Sequence, residues 1–207
     1  MLRTSSSSSP WSAEARVLLR PRATYRELAA SVDEERGGSI VRKPAIVALV
    51  LGCLVSALGA GRLHFWLVVD GAVSFAFVPI IEVIAFAIVS RVGTRRRMPL
   101  ARAVDLYFVG FAPWLAWFVI LTAVGGVMSP REIGPWFMRA VLACMLPAMW
   151  AAWLDFLFFR EVMQRSSAAA FRDLVLHRAM AWTGTVGWFF GIVLFSEIPK
   201  VTRLFTS

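Results

Sequence analysis

The stretch GAVSFAFVPIIEVIAFAIVS, residues 71–90, decides the fold class, because its only charged side chain is Glu82. A helix of this length and composition spans the roughly 30 Å of hydrocarbon in a bilayer. Four further apolar runs are spaced along the chain, so the sequence predicts an all-α bundle of five transmembrane helices. The predicted spans cover residues 44–61, 71–90, 106–128, 137–159 and 179–195. Between them we expect a polar connector that contains Asp70, a basic loop at residues 91–102, a short turn at 129–135 and a polar stretch at 160–178 that includes an amphipathic helix.

The composition excludes several other classes of protein. Hydrophobic residues make up 58% of the 207 residues and charged residues 17%, which is unlike a soluble domain. Cys53 and Cys144 lie inside apolar runs, so we expect neither a disulfide framework nor a metal site. No basic stretch alternates with aromatic residues as in nucleic-acid binders, and hydrolase, zinc-protease and nucleotide-loop motifs are missing. We therefore predict no enzyme activity, no cofactor and no nucleic-acid partner.

The segment before the first span divides in two. Five consecutive serines in residues 1–10 predict a disordered tail. Residues 11–43 are amphipathic, with Ser12 as the cap of one short helix and capping-box spacing from Thr24 to Glu27 for a second. We expect both helices to lie at the membrane surface, with their apolar faces in the headgroup boundary. The arginines expected to stay in water near anionic lipid are Arg16, Arg20, Arg22 and Arg26.

Lys and Arg are unevenly distributed between the two sets of alternate loops. One set holds 17 of these residues and the other holds five. Because cytoplasmic loops retain positive charge, this bias predicts a cytoplasmic N-terminus and, after five spans, a short C-terminal tail (residues 200–207) on the opposite side. The net charge of +9 then reflects membrane topology. In the basic loop after the second span, Arg95, Arg96 and Arg97 are the predicted contacts to anionic headgroups.

Two acidic residues lie inside predicted spans, Glu82 near the middle of one and Asp155 towards the inner end of another. A carboxylate in hydrocarbon is costly, so it should be protonated, paired or turned towards a polar interior. Both spans run inwards, so both acids should lie in the cytoplasmic half, where they could share a cavity. They could bind a proton, a cation or a partner's arginine, or they could make structural hydrogen bonds only. No basic residue lies deep inside a predicted span with them to complete a transport pathway, since Arg139 falls at the outer end of its span.

Other residues within the spans predict helix shape and packing. Pro79, Pro113 and Pro147 each remove a helix hydrogen bond and should bend their spans. Small residues at four-residue spacing allow helices to approach closely, either inside the bundle, which we expect, or against another subunit. These small residues are Gly52, Ser56 and Ala60 in the first span, and Gly187 and Gly191 in the last.

The two histidines, His64 and His177, fall on opposite sides of the predicted membrane, so they cannot ligate one haem iron together. We expect His64 to be an interfacial or loop side chain. A single axial ligand at His64 is kept as a hypothesis for a pigment- or haem-associated subunit.

Two short patterns around the first two spans resemble the Yip domain family. Before the first span the chain has the pattern Pro-x-x-Thr-aromatic-x-x-Leu, and before the third it has LARAVDLYFVGFAP, residues 100–113. Together with the five-span layout, the resemblance covers residues 17–195. Its motif positions are Pro21, Thr24, Tyr25, Leu28, Tyr107 and Pro113.

The resemblance implies an integral membrane protein without known catalysis. Eukaryotic members interact with Rab GTPases and trafficking factors, and some bacterial members are similar to small subunits that accompany ABC-type exporters. The Arg-, Ala- and Trp-rich composition looks bacterial, so we expect the inner membrane and do not carry over Rab binding. The leading hypothesis is a non-enzymatic scaffold or accessory subunit that modulates another membrane protein complex. The alternatives are a small transporter or channel that uses Glu82, and a pigment- or haem-associated subunit that uses His64.

Overall fold

A computed structural model describes residues 12–30, 39–91, 98–127 and 130–206, and side chains up to residue 192 except those of 130–135 and 137. Every regular element in these ranges is helical, as predicted. The predicted tail 1–10 and the predicted lipid contacts Arg95, Arg96 and Arg97 lie outside the described residues. The α-helices are α1 (Ala13–Leu19), α2 (Pro21–Ala30), α3 (Arg42–Ala60), α4 (Phe65–Ser74), α5 (Phe77–Arg91), α6 (Leu100–Tyr107), α7 (Ala112–Gly125), α8 (Pro130–Ala143), α9 (Met145–Leu157) and α10 (Ser167–Thr206). A 3-10 turn (Phe108–Phe111) precedes α7, and a π-helical turn (Phe158–Val162) follows α9.

Four helical segments of the described chain are long and apolar enough to cross a membrane, which indicates an integral membrane protein. They correspond to the first four predicted spans. The fifth predicted span, residues 179–195, falls inside α10, and its passage through the membrane stays a prediction. The four segments are Arg42–Ala60, Phe65–Arg91, Leu100–Gly125 and Met138–Val162.

Two predicted connectors are helical instead. Asp70 was expected in a polar link before the second span, but it lies in α4, because one exposed acid flanked by apolar residues does not end a helix. The turn predicted at residues 129–135 is replaced by α8, which starts at Pro130. Proline is favoured in the first turn of a helix, where its missing N–H costs nothing.

The last helix is also longer than predicted. Residues 160–178, the fifth span and the short tail were expected as separate segments, but α10 runs without a break for 40 residues from Ser167 to Thr206. Between Ser167 and Ala179 the chain is rich in alanine and lacks glycine and proline, so nothing in its sequence stops the helix.

Each internal proline lies directly after a break in its span. Pro79 follows the turn at residues 75–76, Pro113 follows the 3-10 turn, and Pro147 follows the interruption at Cys144. A proline cannot donate a backbone hydrogen bond, and its ring crowds the carbonyl four residues earlier. The predicted bends are therefore breaks that divide the second, third and fourth spans into two helices each.

Helices α3 and α4 approach each other closely at two glycines. A Cβ atom added to Gly52 would lie 2.2 Å from the carbonyl oxygen of Val68, and one added to Gly71 would lie 3.1 Å from the Cα of Gly52. The Ser56 hydroxyl accepts a hydrogen bond from the backbone N–H of His64 at 2.8 Å, which fixes the connector between the two helices. Predicted small-residue packing inside the chain is thus found at Gly52 and Ser56.

The two glycines of α10 behave differently. No described atom lies within 4 Å of a Cβ added to Gly187 or Gly191. The expectation that these residues pack inside the bundle is therefore wrong, because the face of α10 that carries them borders open space.

We predict that Gly52→Ala lowers the unfolding temperature of the detergent-solubilised protein, because its methyl group would overlap backbone atoms of α4. Overpacking of this kind costs about 1–3 kcal/mol. The matched control is Gly187→Ala, which adds the same methyl group in open space and should not lower the unfolding temperature. Equal unfolding temperatures for the two variants would contradict the α3–α4 contact.

Helices α1 and α2 pack on the bundle with residues that were expected to face lipid. Val17 and Tyr25 are fully buried, and the Tyr25 ring lies 6.1 Å from that of Phe158. The expectation that this apolar face dips into the headgroup boundary is wrong for these residues, since the 3-10 and π-helical turns cover them. Three of the four arginines also have acidic partners: Arg16 pairs with Glu27, and both Arg22 and Arg26 pair with Glu161.

An ion pair fastens α1 to the first span. The Lys43 ammonium lies 3.0 Å from Glu14 Oε1. Burial opposes the ionisation of Glu14, but the hydrogen bond and the charge of Lys43 outweigh it and lower the pKa of Glu14. The ionised carboxylate therefore stabilises the folded protein.

We predict that Glu14→Gln lowers the unfolding temperature near neutral pH and that this difference shrinks as the pH falls below about 4. The native pKa is lowered, so the contribution of Glu14 is complete above the unfolded pKa of about 4.3 and is lost as the pH falls through the native value. Thermal unfolding of wild type and variant across this range measures the effect. A difference that is constant with pH would contradict the role of this ion pair.

Candidate functional site

Ionisable side chains from four helices lie together in the apolar interior of the protein. Glu82 comes from α5, Tyr107 from α6, Asp155 from α9, and His177 and Arg178 from α10. Tyr107 and His177 are fully buried, Asp155 is 1% exposed and Glu82 is 9% exposed. We call these five residues the buried polar cluster.

Glu82, Tyr107 and His177 form one half of the cluster. The Tyr107 hydroxyl is 3.2 Å from Glu82 Oε2 and 3.3 Å from His177 Nε2. His177 Nε2 is itself 3.3 Å from Glu82 Oε2 and 3.4 Å from the Glu82 carbonyl oxygen. Since each pair is within hydrogen-bonding reach, the three groups can share a proton among a carboxylate, an imidazole and a phenol.

Asp155 and Arg178 form the other half. The Arg178 guanidinium donates a hydrogen bond to Asp155 Oδ2. An ion pair removed from water offsets the desolvation of both groups, whereas either charge alone at this depth would be strongly unfavourable. Because His177 and Arg178 are consecutive, one turn of α10 supplies partners for both intramembrane acids.

Aromatic rings surround the first half of the cluster. The Phe86 ring stacks on Tyr107 with centroids 4.7 Å apart, and Phe158 meets Tyr107 edge to face at 5.6 Å. The Tyr107 ring meets His177 at 5.1 Å. In such apolar surroundings the hydrogen bonds of the cluster are stronger than in water, and an unpaired member would be correspondingly costly.

Tyr25 connects α2 to this region. A Cβ atom added to Gly110 would lie 3.0 Å from the Tyr25 hydroxyl and 3.5 Å from Asp155 Oδ1, so the missing side chain at position 110 leaves room for both. Burial and then the charge of Asp155 raise the pKa of Tyr25 well above its ordinary value, which keeps the phenol protonated. The hydroxyl has no hydrogen-bond partner within the described part of the chain.

Two more buried carboxylates are held by arginines outside the cluster. Asp105 accepts a hydrogen bond from Arg42 at 3.2 Å, which links α3 to α6. Asp173, which is fully buried, lies 3.0 Å from the Arg165 guanidinium and 2.8 Å from that of Arg172. These pairs use part of the positive charge that the sequence places on one side of the membrane.

The buried polar cluster contains both acids that the sequence singles out. The expectation that no basic residue accompanies the two acids is wrong. His177 and Arg178 lie immediately before the predicted start of the fifth span, and α10 places both side chains next to the acids in the interior of the protein. The polar stretch predicted at residues 160–178 thus contains a fully buried histidine close to its end. A signal was present in the sequence: an adjacent His-Arg pair at the edge of an apolar run, with no helix breaker between them and that run.

The remaining candidate residues lie elsewhere. Pro21 begins α2, the Thr24 hydroxyl donates to the Arg20 carbonyl oxygen at 2.9 Å, and Leu28 is half-buried. Pro113 lies in the first turn of α7. Thr24 lies inside α2 and not at its N-cap, so the predicted capping box with Glu27 is wrong. None of these four family-motif positions belongs to the buried polar cluster.

His64 is exposed at the start of α4. Among the described residues, no group of three or more His, Cys, Asp or Glu side chains could hold a metal ion. The Cys144 thiol instead accepts a hydrogen bond from the Trp117 indole at 3.2 Å. Haem ligation by His64 stays a hypothesis without a further contact to support it.

No protein-family model, curated protein or solved structure matches this chain. The resemblance to the Yip domain family therefore stays a prediction. Two of the residues that carry it, Tyr25 and Tyr107, lie beside or within the buried polar cluster.

We predict that Asp155→Asn and Arg178→Gln each lower the free energy of unfolding by about 3–5 kcal/mol, because each leaves a buried charge unpaired. The double variant should lose much less than the sum of the two single losses. Unfolding in mixed micelles measures all three, with the exposed Asp70→Asn as the control carboxylate-to-amide change. Strictly additive losses would show that the two side chains do not interact.

Proposed function

We propose that the protein is a non-enzymatic integral membrane scaffold or accessory subunit that modulates another membrane protein complex. The observation that carries this proposal is that both intramembrane acids are bound by side chains of the same chain. Glu82 contacts Tyr107 and His177, and Asp155 pairs with Arg178. Groups engaged in this way act as internal links between helices, so a partner would recognise the outer surface of the bundle.

The arrangement of α1 and α2 supports the same proposal. Ion pairs join Glu14 to Lys43 and Arg26 to Glu161, so the two helices are fixed to the ends of membrane segments. A fixed surface of this kind suits association with a partner, since little conformational freedom is lost on binding. In the proposed orientation this surface faces the cytoplasm of a bacterial cell and the C-terminus lies across the inner membrane, as the distribution of Lys and Arg indicates.

A second candidate function is proton transport through Glu82, with Asp155 as a further site. It is favoured by the mutual contacts of Glu82, Tyr107 and His177 at 3.2–3.3 Å, which resemble the carboxylate and imidazole relays of membrane pumps. This candidate requires water to reach Glu82 from both sides of the membrane, whereas the scaffold requires no such access.

We predict that Glu82→Gln weakens the fold or the association with the partner but changes no intrinsic ion flux. The amide keeps the shape of the side chain while it removes the charge and one acceptor. The measurements are the amount of stoichiometric companion protein that copurifies from native membranes in mild detergent, and proton flux in vesicles that contain the purified protein.

The matched control is Asp70→Asn, an acid-to-amide change at an exposed position of the same membrane segment. It should alter neither quantity. A proton flux of wild type that disappears in Glu82→Gln and persists in Asp70→Asn would overturn the scaffold and establish the transporter. Copurification of a constant companion without any flux would support the scaffold.

A further inference from the structure

A groove of about 380 Å³ lies between the start of α2 and the last turns of α9. One wall combines positive charge with small side chains, and the other is aromatic and aliphatic. The lining residues are Arg20, Pro21, Arg22 and Ala23 on the first wall, and Trp153 and Leu157 on the second.

The groove has an excess of positive charge. The Arg20 side chain has no ion-pair partner among the residues that the structure describes, and Arg22 has only a distant one. Arg22 lies 3.6 Å from Glu161, which is closer to Arg26 at 3.1 Å. Glu161 is therefore shared between two arginines, and Arg20 adds a charge that no acid of the described ranges neutralises. A guanidinium pair of this kind suits a phosphate group, because its planar donors can bind two oxygens at once.

The opposite wall belongs to a membrane segment. Trp153 and Leu157 lie in α9, within the apolar stretch Met138–Val162. The Trp153 ring is 46% exposed and stacks on Phe156, with centroids 5.6 Å apart. A ligand in the groove would thus contact arginines at one end and an apolar surface that continues along a membrane segment at the other.

We propose that this groove binds an anionic phospholipid. The phosphate lies between Arg20 and Arg22, and an acyl chain follows the apolar wall past Trp153. Free phosphate would use the arginines alone and leave the apolar wall empty, so charge and apolarity together favour the lipid. The site is independent of the proposed function, since a scaffold and a transporter could each carry it.

The experiment measures binding of phosphatidylglycerol to the purified full-length protein in mild detergent by native mass spectrometry. Arg20→Gln/Arg22→Gln should weaken the tightest binding event about 30-fold, since a basic residue near anionic lipid contributes about 1 kcal/mol, or about fivefold. The control is Arg62→Gln/Arg139→Gln, which removes the same net charge at exposed positions away from the groove and should leave this binding unchanged.

A second variant, Ala23→Trp, fills the groove but keeps both arginines. It should also abolish the tightest binding event, and it tests the site even if the double arginine variant fails to fold. Phosphatidylcholine with the same acyl chains should bind more weakly than phosphatidylglycerol, and excess inorganic phosphate should not displace the lipid.

Four results would overturn the proposal. Equal losses in the two double arginine variants would indicate attraction by net charge. Undiminished binding to Ala23→Trp would place the lipid elsewhere. Equal binding of the two phospholipids would exclude selection of an anionic headgroup, and displacement by inorganic phosphate would assign the arginines to a free anion.

Discussion

The neutralisation of two carboxylates inside an apolar bundle is the constraint on which the rest of this structure depends. A charged carboxylate in hydrocarbon is unfavourable unless other groups replace the water that it loses. Here α10 brings Arg178 to Asp155 and His177 to Glu82, and α6 adds the Tyr107 hydroxyl. The positions of four helices are coupled as a result, because displacement of any one of them would leave a buried polar group without its partner.

Two of the helix breaks lie next to residues of the buried polar cluster. The α-helix of the third membrane segment is interrupted by the 3-10 turn directly after Tyr107, and the fourth segment ends in the π-helical turn shortly after Asp155. Gly110 lies in the first of these turns, where an added Cβ atom would crowd the Tyr25 hydroxyl at 3.0 Å. The same two turns cover α1 and α2, so the elements that position the buried polar cluster also hold the N-terminal helices in place.

Much of this architecture could be predicted from residue patterns. The single acid in residues 71–90 identifies both a membrane segment and its principal polar residue, and Pro79, Pro113 and Pro147 locate the breaks. The partners of the acids could not be predicted, because hydropathy gives the length of a helix but neither its rotation nor its depth. Hydropathy therefore places His177 and Arg178 in a polar stretch outside the spans, although the alanine-rich residues before them belong to the same helix, α10. Only the family resemblance singles out Tyr107, since one tyrosine in an apolar run has no pattern that identifies it as a hydrogen-bond donor to a distant acid.

The chain contains only two histidines, so selective 15N-histidine labelling and solid-state NMR in lipid bilayers can test the cluster directly. His64 is exposed and His177 is fully buried beside Tyr107 and Glu82. We expect a water-soluble paramagnetic reagent to broaden the two ring-nitrogen resonances of His64 and to leave those of His177 sharp. The Tyr107→Phe substitution should shift only the resonances of His177. Equal broadening of the His64 and His177 resonances, with no shift of the His177 resonances in Tyr107→Phe, would contradict the buried contact between α6 and α10 that holds the bundle together.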